Sequence, residues 1–239
     1  MSNPHLSIII PAHNEETRLP ATLAQVVKFL EAQPYTAEVL VIENASRDKT
    51  LAIAQEFASR YGFIQAIHEA LPGKGRAVQT GMLAAQGEHR FFADADLSMP
   101  IAEVNRFLPP QVDIPIAIAS REAPGAIRYD EPPYRHITGR VFNGLIRGLV
   151  LPGLRDTQCG FKMFRAEVAE DLFKRQTLMG WSFDVELLYI ASLRGLPILE
   201  IPIPWYFNPE SKVNVLRDSW RMFRDLLVIR RNGQLGKYA

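Results

Sequence analysis

The sequence predicts an α/β fold with a mostly parallel central sheet flanked by helices, and two observations carry that reading. Short β-branched apolar runs alternate with stretches of helical periodicity through the first hundred or so residues. Strands that alternate with helices in this way imply parallel pairing through right-handed crossovers. Three of these runs end in polar stretches, Pro11 to Glu16, Glu43 to Ser46 and Asp94 to Asp96, where α/β sheets of this kind bind ligands.

The first run, Leu6-Ser7-Ile8-Ile9-Ile10, reads as a buried strand stopped by Pro11. Leu19, Leu23, Val26 and Leu30 then recur at helical spacing, with Pro20 tolerated in the first turn. Glu38 to Ile42 is a second strand, and Ala52, Ala54, Phe57 and Ala58 mark a second helix. Phe63 to Ile67 is a third strand, and Gly73-Lys74-Gly75 opens a helix running through Met82 to Ala85. Phe91 to Ala93 ends the fourth strand. Ile114 to Ala119 is another buried strand, ending at Ser120-Arg121. Glu122 to Arg135 holds three prolines, a glycine and both charges, and is expected to be a mobile loop. Arg140 to Val150 reads as helix, Thr157 to Phe164 as strand, and Val168 to Phe173 and Asp184 to Leu193 as helices. Ile198 to Ile203 is a strand with prolines at its edge.

At 239 residues and 47% hydrophobic, the chain can bury a large core, and neither a repeat nor a linker divides it. The net charge of +1 argues against general nucleic-acid binding. That charge is unevenly spread: residues 206–239 hold seven Lys or Arg against three acids, leaving the remainder at −3. One cysteine, Cys159, excludes an internal disulfide, and it reads as a small packed residue. The five histidines show no metal-ligand spacing along the chain. Met1 to Asn14 has no signal-peptide pattern, and no apolar run is long enough to span a bilayer.

The chemistry concentrates at Phe91-Phe92-Ala93-Asp94-Ala95-Asp96-Leu97-Ser98. If the backbone stays extended, alternation puts Asp94 and Asp96 on one face. Two carboxylates so close repel unless a cation or donors lie between them. Mg²⁺ and Mn²⁺ prefer carboxylate and water oxygens, and Mg²⁺ commonly shares its shell with substrate phosphates. An N-cap with a solvated turn acid is the bland alternative.

Further motifs stand in order along the chain. They are Pro11-Ala12-His13-Asn14-Glu15-Glu16, Glu43-Asn44-Ala45-Ser46-Arg47-Asp48, Gly73-Lys74-Gly75, Asp156-Thr157-Gln158-Cys159-Gly160-Phe161-Lys162 and Phe183-Asp184-Val185-Glu186-Leu187-Leu188. Together with Ala93 to Ser98 they resemble family 2 glycosyltransferases of the polyprenyl-phosphate branch. Within that branch they are most similar to the dolichyl-phosphate β-glucosyltransferases, with the mannose synthases close by. The resemblance runs from about Leu6 to Arg231. It implies a glycosyltransferase-A fold, a nucleotide-sugar donor, Mg²⁺ or Mn²⁺, and a lipid-phosphate acceptor. The chain departs from the pattern at Glu43-Asn44-Ala45-Ser46, where the family usually reads Asp-Asp-Gly-Ser. Ser98 also stands where mannose synthases commonly carry a metal-binding Gln. Eukaryotic glucosyltransferases of this kind carry an N-terminal membrane anchor, and none is expected here.

On that resemblance a single domain is expected over 1–239, with a nucleotide-sugar-binding half at 1–118 and an acceptor half at 119–205. A basic amphipathic helix occupies 206–239. Asp94 and Asp96 would hold the metal, with Pro11, Ala12, Asn14, Glu16, Glu43, Asn44, Ser46, Lys74, Gly75 and Ala95 also at the donor. Arg121, Arg135, Ser211 and Lys212 would take the acceptor phosphate. Asp96, Asp184 and Arg121 are the catalytic candidates, and Asp184 with Glu186 opens an apolar helix. Acids in a first helical turn also favour the helix dipole, the bland reading of both. The expected activity is inverting transfer of a hexose, foremost glucose from UDP-glucose, to polyprenyl phosphate. GDP-mannose-dependent transfer, a non-catalytic nucleotide-sugar-binding protein and a nucleotidyltransferase are the rival readings. Nothing here calls for a nucleic-acid partner, and a homo-oligomer stays open. A cytoplasmic, peripherally membrane-associated protein is expected. Leu216, Trp220, Phe223 and Leu227 form an apolar stripe at spacings of four, three and four, flanked by Arg217, Arg221 and Arg224. That stripe fits either membrane docking or packing on the domain.

Overall fold

The computed structural model describes residues 3–208 and 215–239, with side chains in the second stretch described from Trp220 onward. Strands β1 (Leu6–Ala12), β2 (Ala37–Asn44), β3 (Ile64–Glu69) and β4 (His89–Ala93) alternate with helices α1 (Leu19–Glu31), α2 (Thr50–Arg60) and α3 (Lys74–Ala84). A 3-10 stretch, Ile101–Phe107, leads to β5 (Ile116–Ser120), β6 (Ile127–Tyr129) and helix α4 (Pro133–Leu149). Then follow β7 (Phe161–Arg165), α5 (Ala166–Arg175), α6 (Phe183–Leu193), β8 (Ile198–Pro202), β9 (Pro204–Tyr206) and α7 (Val215–Gln234). The main sheet has seven strands in the order β3-β2-β1-β4-β7-β5-β8, all parallel except β7.

Both faces of the sheet are covered, which explains why its strands read as unbroken apolar runs. Ile8, Ile10, Val39, Val41 and Phe91 face one layer of the core, while Ile9, Leu40, Ile42 and Phe92 face the other. In the first layer Phe91 meets Phe107 and Phe161 edge-on at 5.3 and 4.4 Å between ring centres. Such pairs contribute about 0.5–1.5 kcal/mol each beyond the area they bury.

Three sequence expectations are corrected. Pro11 does not end β1; the ladder from β1 to β4 has already finished at Ile9, so a missing N–H is tolerated there. The segment Glu122 to Arg135 is not an irregular loop. It contains β6, which pairs in parallel with β9, and the first turn of α4. Its mixed charges meet one another, Arg128 bridging Glu122 and Glu131. The strand expected from Thr157 starts only at Phe161, because the preceding turn wraps around Asp94. On α7, Leu226 and Ile229 face the core, whereas Trp220 and Leu227 of the sequence stripe are exposed and Phe223 is half-buried. Leu216 and Arg217 lie outside the described side chains.

Candidate active site

The loops leaving the carboxyl ends of β1, β2 and β4 converge, and three of them hold a non-glycine residue at positive φ. These are Asn14 (52°), Ala45 (51°) and Leu97 (42°). Ala45 stands where the resembled motif has glycine, and it keeps the left-handed backbone that glycine would adopt freely.

The backbone is not extended through the acidic pair. β4 stops at Ala93, and residues 94–98 form a turn in which Asp96 Oδ1 accepts from the Ser98 N–H at 3.0 Å. Asp94 and Asp96 nevertheless line one cavity of about 510 Å³. Asp94 donates its N–H to the Gly160 carbonyl at 3.0 Å. A Cβ at Gly160 would fall 1.9 Å from Asp94 Oδ2, so the glycine is required for the carboxylate to sit there. Cys159, beside it, is buried, and burial pushes its thiol up to about 12, which removes it as a nucleophile.

At Gly73-Lys74-Gly75, two of the first amides of α3 are used inside the protein. Gly75 N–H donates to Gly180 O at 3.2 Å and Arg76 N–H to Met179 O at 3.3 Å. A Cβ on Gly73 would lie 2.3 Å from Met179 O, and one on Gly75 would lie 2.6 Å from Phe183 Cβ. The glycines thus let α3 close on the loop before α6, and this contact carries Lys74 into the cavity. Its Nζ is 2.7 Å from Asp94 Oδ1 and 5.3 Å from the ring centre of Trp181. Burial disfavours the Lys74 ammonium, but Asp94, Asp184 and Asp96 around it outweigh that and raise its pKa.

The expected nucleoside contacts divide into two groups. Glu43 and Asn44 are buried, with partners inside the protein. Glu43 accepts from the Ser46 N–H and meets His68; burial opposes its charge, and these bonds still hold the carboxyl below its usual range. Asn44 Oδ1 accepts from the Gly73 N–H at 2.8 Å, and its amide donates to Leu71 O at 2.6 Å. These bonds brace the loops around the site. Asn14 and Glu16 are exposed, and they tie the β1 loop to the β2 loop through Arg47 N–H at 2.8 Å and Lys49 N–H at 3.1 Å. Pro11 and Ala12 close β1 beneath them.

Of the residues expected at the acceptor, Arg121 is clamped by Asp156, with Nε at 2.7 Å and Nη2 at 3.0 Å, and it lies over Trp205. Asp156 is fully buried; the Arg121 charge and bonds outweigh the burial and hold its carboxyl at about 2. Arg135 lies over Phe207, and both line the cavity. Ser211 and Lys212 lie outside the described residues. Asp184 also lines the cavity, whereas Glu186 beside it is fully buried and bonded to Thr177, the Leu178 N–H and Tyr238. Glu186 is therefore a brace for the loop before α6 and not a site acid. Burial raises the Asp184 carboxyl more than Lys162 and Lys74 lower it. Sequence reasoning gave no role to Lys162, Asp156, Trp181, Trp205 or Phe207. Asp156 and Lys162 sat within a recognised motif; the aromatics carried no signal beyond following a strand or loop.

The residues present fit a hard divalent cation. Asp94, Asp96 and Ser98 offer oxygen only. Burial and the neighbouring Asp94 charge push the Asp96 carboxyl up, a strain that a cation between the two would relieve.

A family model described as glycosyl transferase family 2 matches residues 7–173. The dolichyl-phosphate beta-glucosyltransferase of Drosophila melanogaster is 34% identical over 242 residues, covering 94% of this chain and 74% of that protein. The Homo sapiens protein of that name is 34% identical over 241 residues, with the same shares covered, 94% and 74%. Glucosyl-3-phosphoglycerate synthase of Mycobacterium tuberculosis, solved with Mn²⁺, UDP-glucose and phosphoglyceric acid, superposes at a TM-score of 0.66. It is 18% identical and covers 98% of this chain and 80% of its own. Mannosyl-3-phosphoglycerate synthase of Rubrobacter xylanophilus superposes at 0.70 with 16% identity, over 98% and 75% of the two chains. These likenesses show the glycosyltransferase-A fold, and the family match with the sequence identities shows that the chain belongs to glycosyltransferase family 2.

Proposed function

We propose that the protein transfers glucose from UDP-glucose to a polyprenyl phosphate, with inversion at the anomeric carbon. One observation carries the reading: a single cavity joins a charged floor, Asp94, Asp96, Lys74 and Arg121, to an apolar wall containing Phe142, Trp181, Phe207 and Met222. A diphosphate and a phosphate suit the first, and the start of an isoprenoid chain suits the second. The relatives named above are dolichyl-phosphate glucosyltransferases, which supports the same donor and acceptor.

Mg²⁺ or Mn²⁺, held by Asp94 and Asp96 with Ser98 alongside, would supply charge neutralisation at the donor diphosphate. Lys74 adds a fixed positive charge to the same place. The acceptor phosphate has a second pKa near ~6, so at neutral pH its oxygen is already largely anionic. That oxygen forms the new bond to the anomeric carbon as the carbon–oxygen bond to UDP breaks, and UDP leaves with the electron pair. No proton transfer is required, so Asp184 is an orienting group and not an obligatory base. Arg121, immobilised by Asp156, and Arg135 hold the acceptor phosphate against a like-charged donor.

Because the acceptor stays in a bilayer, the protein works at a membrane surface, reached through the exposed faces of α4 and α7. No described helix is long and apolar enough to cross a membrane. The activity is tested with a donor panel of UDP-glucose, UDP-galactose and GDP-mannose, a short polyprenyl phosphate, and Mg²⁺ or Mn²⁺. Formation of polyprenyl-phosphate glucose supports the proposal, whereas turnover with GDP-mannose alone replaces it with mannosyl transfer.

A further inference from the structure

The five histidines show no ligand pattern in the sequence, yet folding brings two of them together with an acid at the amino ends of β1 and β4. His5, Glu88 and His89 each offer one ligand atom, and the three atoms lie within 4.8 Å of one another. Among the described residues this is the one such grouping of three His, Cys, Asp or Glu side chains. We propose that it is a site for a borderline divalent cation, Zn²⁺ above all, separate from the metal at the sugar donor.

The geometry is close to what the ion needs. His5 Nδ1 stands 3.3 Å from Glu88 Oε2. Two ligands on one tetrahedral zinc, with bonds of about 2.0–2.2 Å, lie roughly 3.3–3.5 Å apart. The rings of His5 and His89 are 4.8 Å apart at 54° to each other, and the His89 ligand atom lies within 4.8 Å of the other two. His89 Nδ1 is 3.3 Å from the His5 carbonyl. A ring N–H held by a backbone carbonyl leaves the other nitrogen as the lone-pair donor, the usual arrangement for an imidazole that ligates metal. Two imidazoles and one carboxylate leave a fourth position for water, and nitrogen ligands favour zinc over magnesium or calcium.

The frame is rigid. Glu88 N–H donates to Pro4 O at 3.0 Å and His89 N–H to His5 O at 3.1 Å, so the ligands sit where two neighbouring strands begin. His89 is buried and His5 is packed against Tyr35. Arg165, opposite His89 across the ladder, is drawn off by an ion pair with Asp113. The five residues of β4 separate this site from Asp94, about 16 Å at the usual rise per residue. An ion here is a staple between the first strand and the centre of the sheet, and it takes no part in glycosyl transfer.

The test is a zinc titration of the whole protein against a chromophoric chelator, with saturating Mg²⁺ and UDP filling the donor site. One Zn²⁺ per chain is expected, with binding weakened at least tenfold in His5→Gln and in His89→Gln and unchanged in Asp94→Asn. Zinc should also raise the melting temperature of the native protein and leave that of His5→Gln unmoved. His5→Gln should keep its Mg²⁺-dependent transferase activity. His5 is only half-buried, so this variant decides the matter even if His89→Gln does not fold. Absence of zinc binding by the native protein, or equal affinity in His5→Gln, overturns the assignment.

Discussion

Lys162 Nζ lies 3.2 Å from Asp184 Oδ2, and the lysine side chain has no solvent exposure at all. The lysine rises from β7, opposite Phe92, with its ammonium over that ring and donating to the Cys159 carbonyl. It stands directly behind an acid that faces the cavity. Lys162 is therefore expected to position Asp184, its charge opposing the rise that burial imposes on that carboxyl. Lys162→Met should push the Asp184 carboxyl further up and move the acid limb of the kcat/KM profile to higher pH. Leaving Asp184 buried and unpaired should also cost about 3–5 kcal/mol. Lys162→Arg should restore part of the profile. A pH profile unchanged in Lys162→Met would reduce the lysine to a structural role.

Asp96→Asn tests the acidic pair. The variant removes a charge that burial and Asp94 oppose, so its stability should equal or exceed the native value. Native Asp96 has a raised pKa, so its contribution to stability declines as pH climbs from the ordinary carboxylate range through the raised value. The variant should lack that decline while losing most turnover and most metal-dependent UDP binding. Native turnover in the variant, or activity surviving excess chelator, contradicts the metal assignment.

Asp156 has the opposite sign. Its carboxyl is held at about 2, below the unfolded value, so its stabilisation is complete above about pH 4 and is lost as pH falls toward 2. Asp156→Asn should destabilise at pH 7 by about 3 kcal/mol, because Arg121 then loses a buried partner. The difference between variant and native protein should shrink in acid, measurable by urea denaturation across pH. A constant difference from pH 7 to 3 would remove the ion pair as the cause.

Most of the sheet was legible because a strand covered on both faces must be apolar throughout, as Ile8 to Ile10 and Val39 to Ile42 are. Asp94 and Asp96 were legible as acids at a strand end, a place where carboxylates serve ligands. What stayed hidden depends on pairings made only in three dimensions. Lys162 with Asp184 and Arg121 with Asp156 join residues 22 and 35 positions apart, with no periodic pattern to reveal them. The β6–β9 pair is three residues long on each strand and sits among prolines, so its propensity signal was that of a loop. Glu43, Asn44 and Glu186 carry the residue types of a site, yet they satisfy neighbouring amides; type alone cannot separate the two uses.

Ala45 offers a stabilising change. At φ 51° an alanine Cβ crowds its own backbone, at about 1–2 kcal/mol, and glycine avoids that while losing about 0.5–1 kcal/mol of chain entropy. Ala45→Gly should therefore gain about 0.5–1 kcal/mol, a rise of about 1–4 °C in melting temperature. UDP affinity should hold. A lowered melting temperature would show that the Ala45 methyl packs usefully in the loop.

The last prediction concerns how the protein meets its lipid. α4 shows solvent a line of Tyr134, Ile137, Val141 and Leu145 at spacings of three, four and four, with Ile137 64% and Val141 63% exposed. The helix carries Arg135, Arg140 and Arg147 and no acid. α7 packs against it and adds Trp220, 65% exposed, with Leu227 and Val228. Phe142 of α4 and Met222 of α7 line the cavity, so the two helices have an inner side at the site and an outer apolar side. A bilayer against that outer side would bring a lipid phosphate to the cavity mouth. Buried apolar faces supply the depth of insertion, and each nearby basic residue adds about 1 kcal/mol on an anionic surface, screened by salt. The protein should float with phosphatidylglycerol vesicles at low salt and be partly released at high salt. Ile137→Glu with Val141→Glu should abolish flotation at every salt concentration, and Arg140→Gln with Arg147→Gln should shift release to lower salt. Both pairs should retain UDP-glucose affinity, since none of these four residues faces Asp94 or Lys74. If the double glutamate variant floats like the native protein, α4 does not enter the lipid and another surface delivers the acceptor.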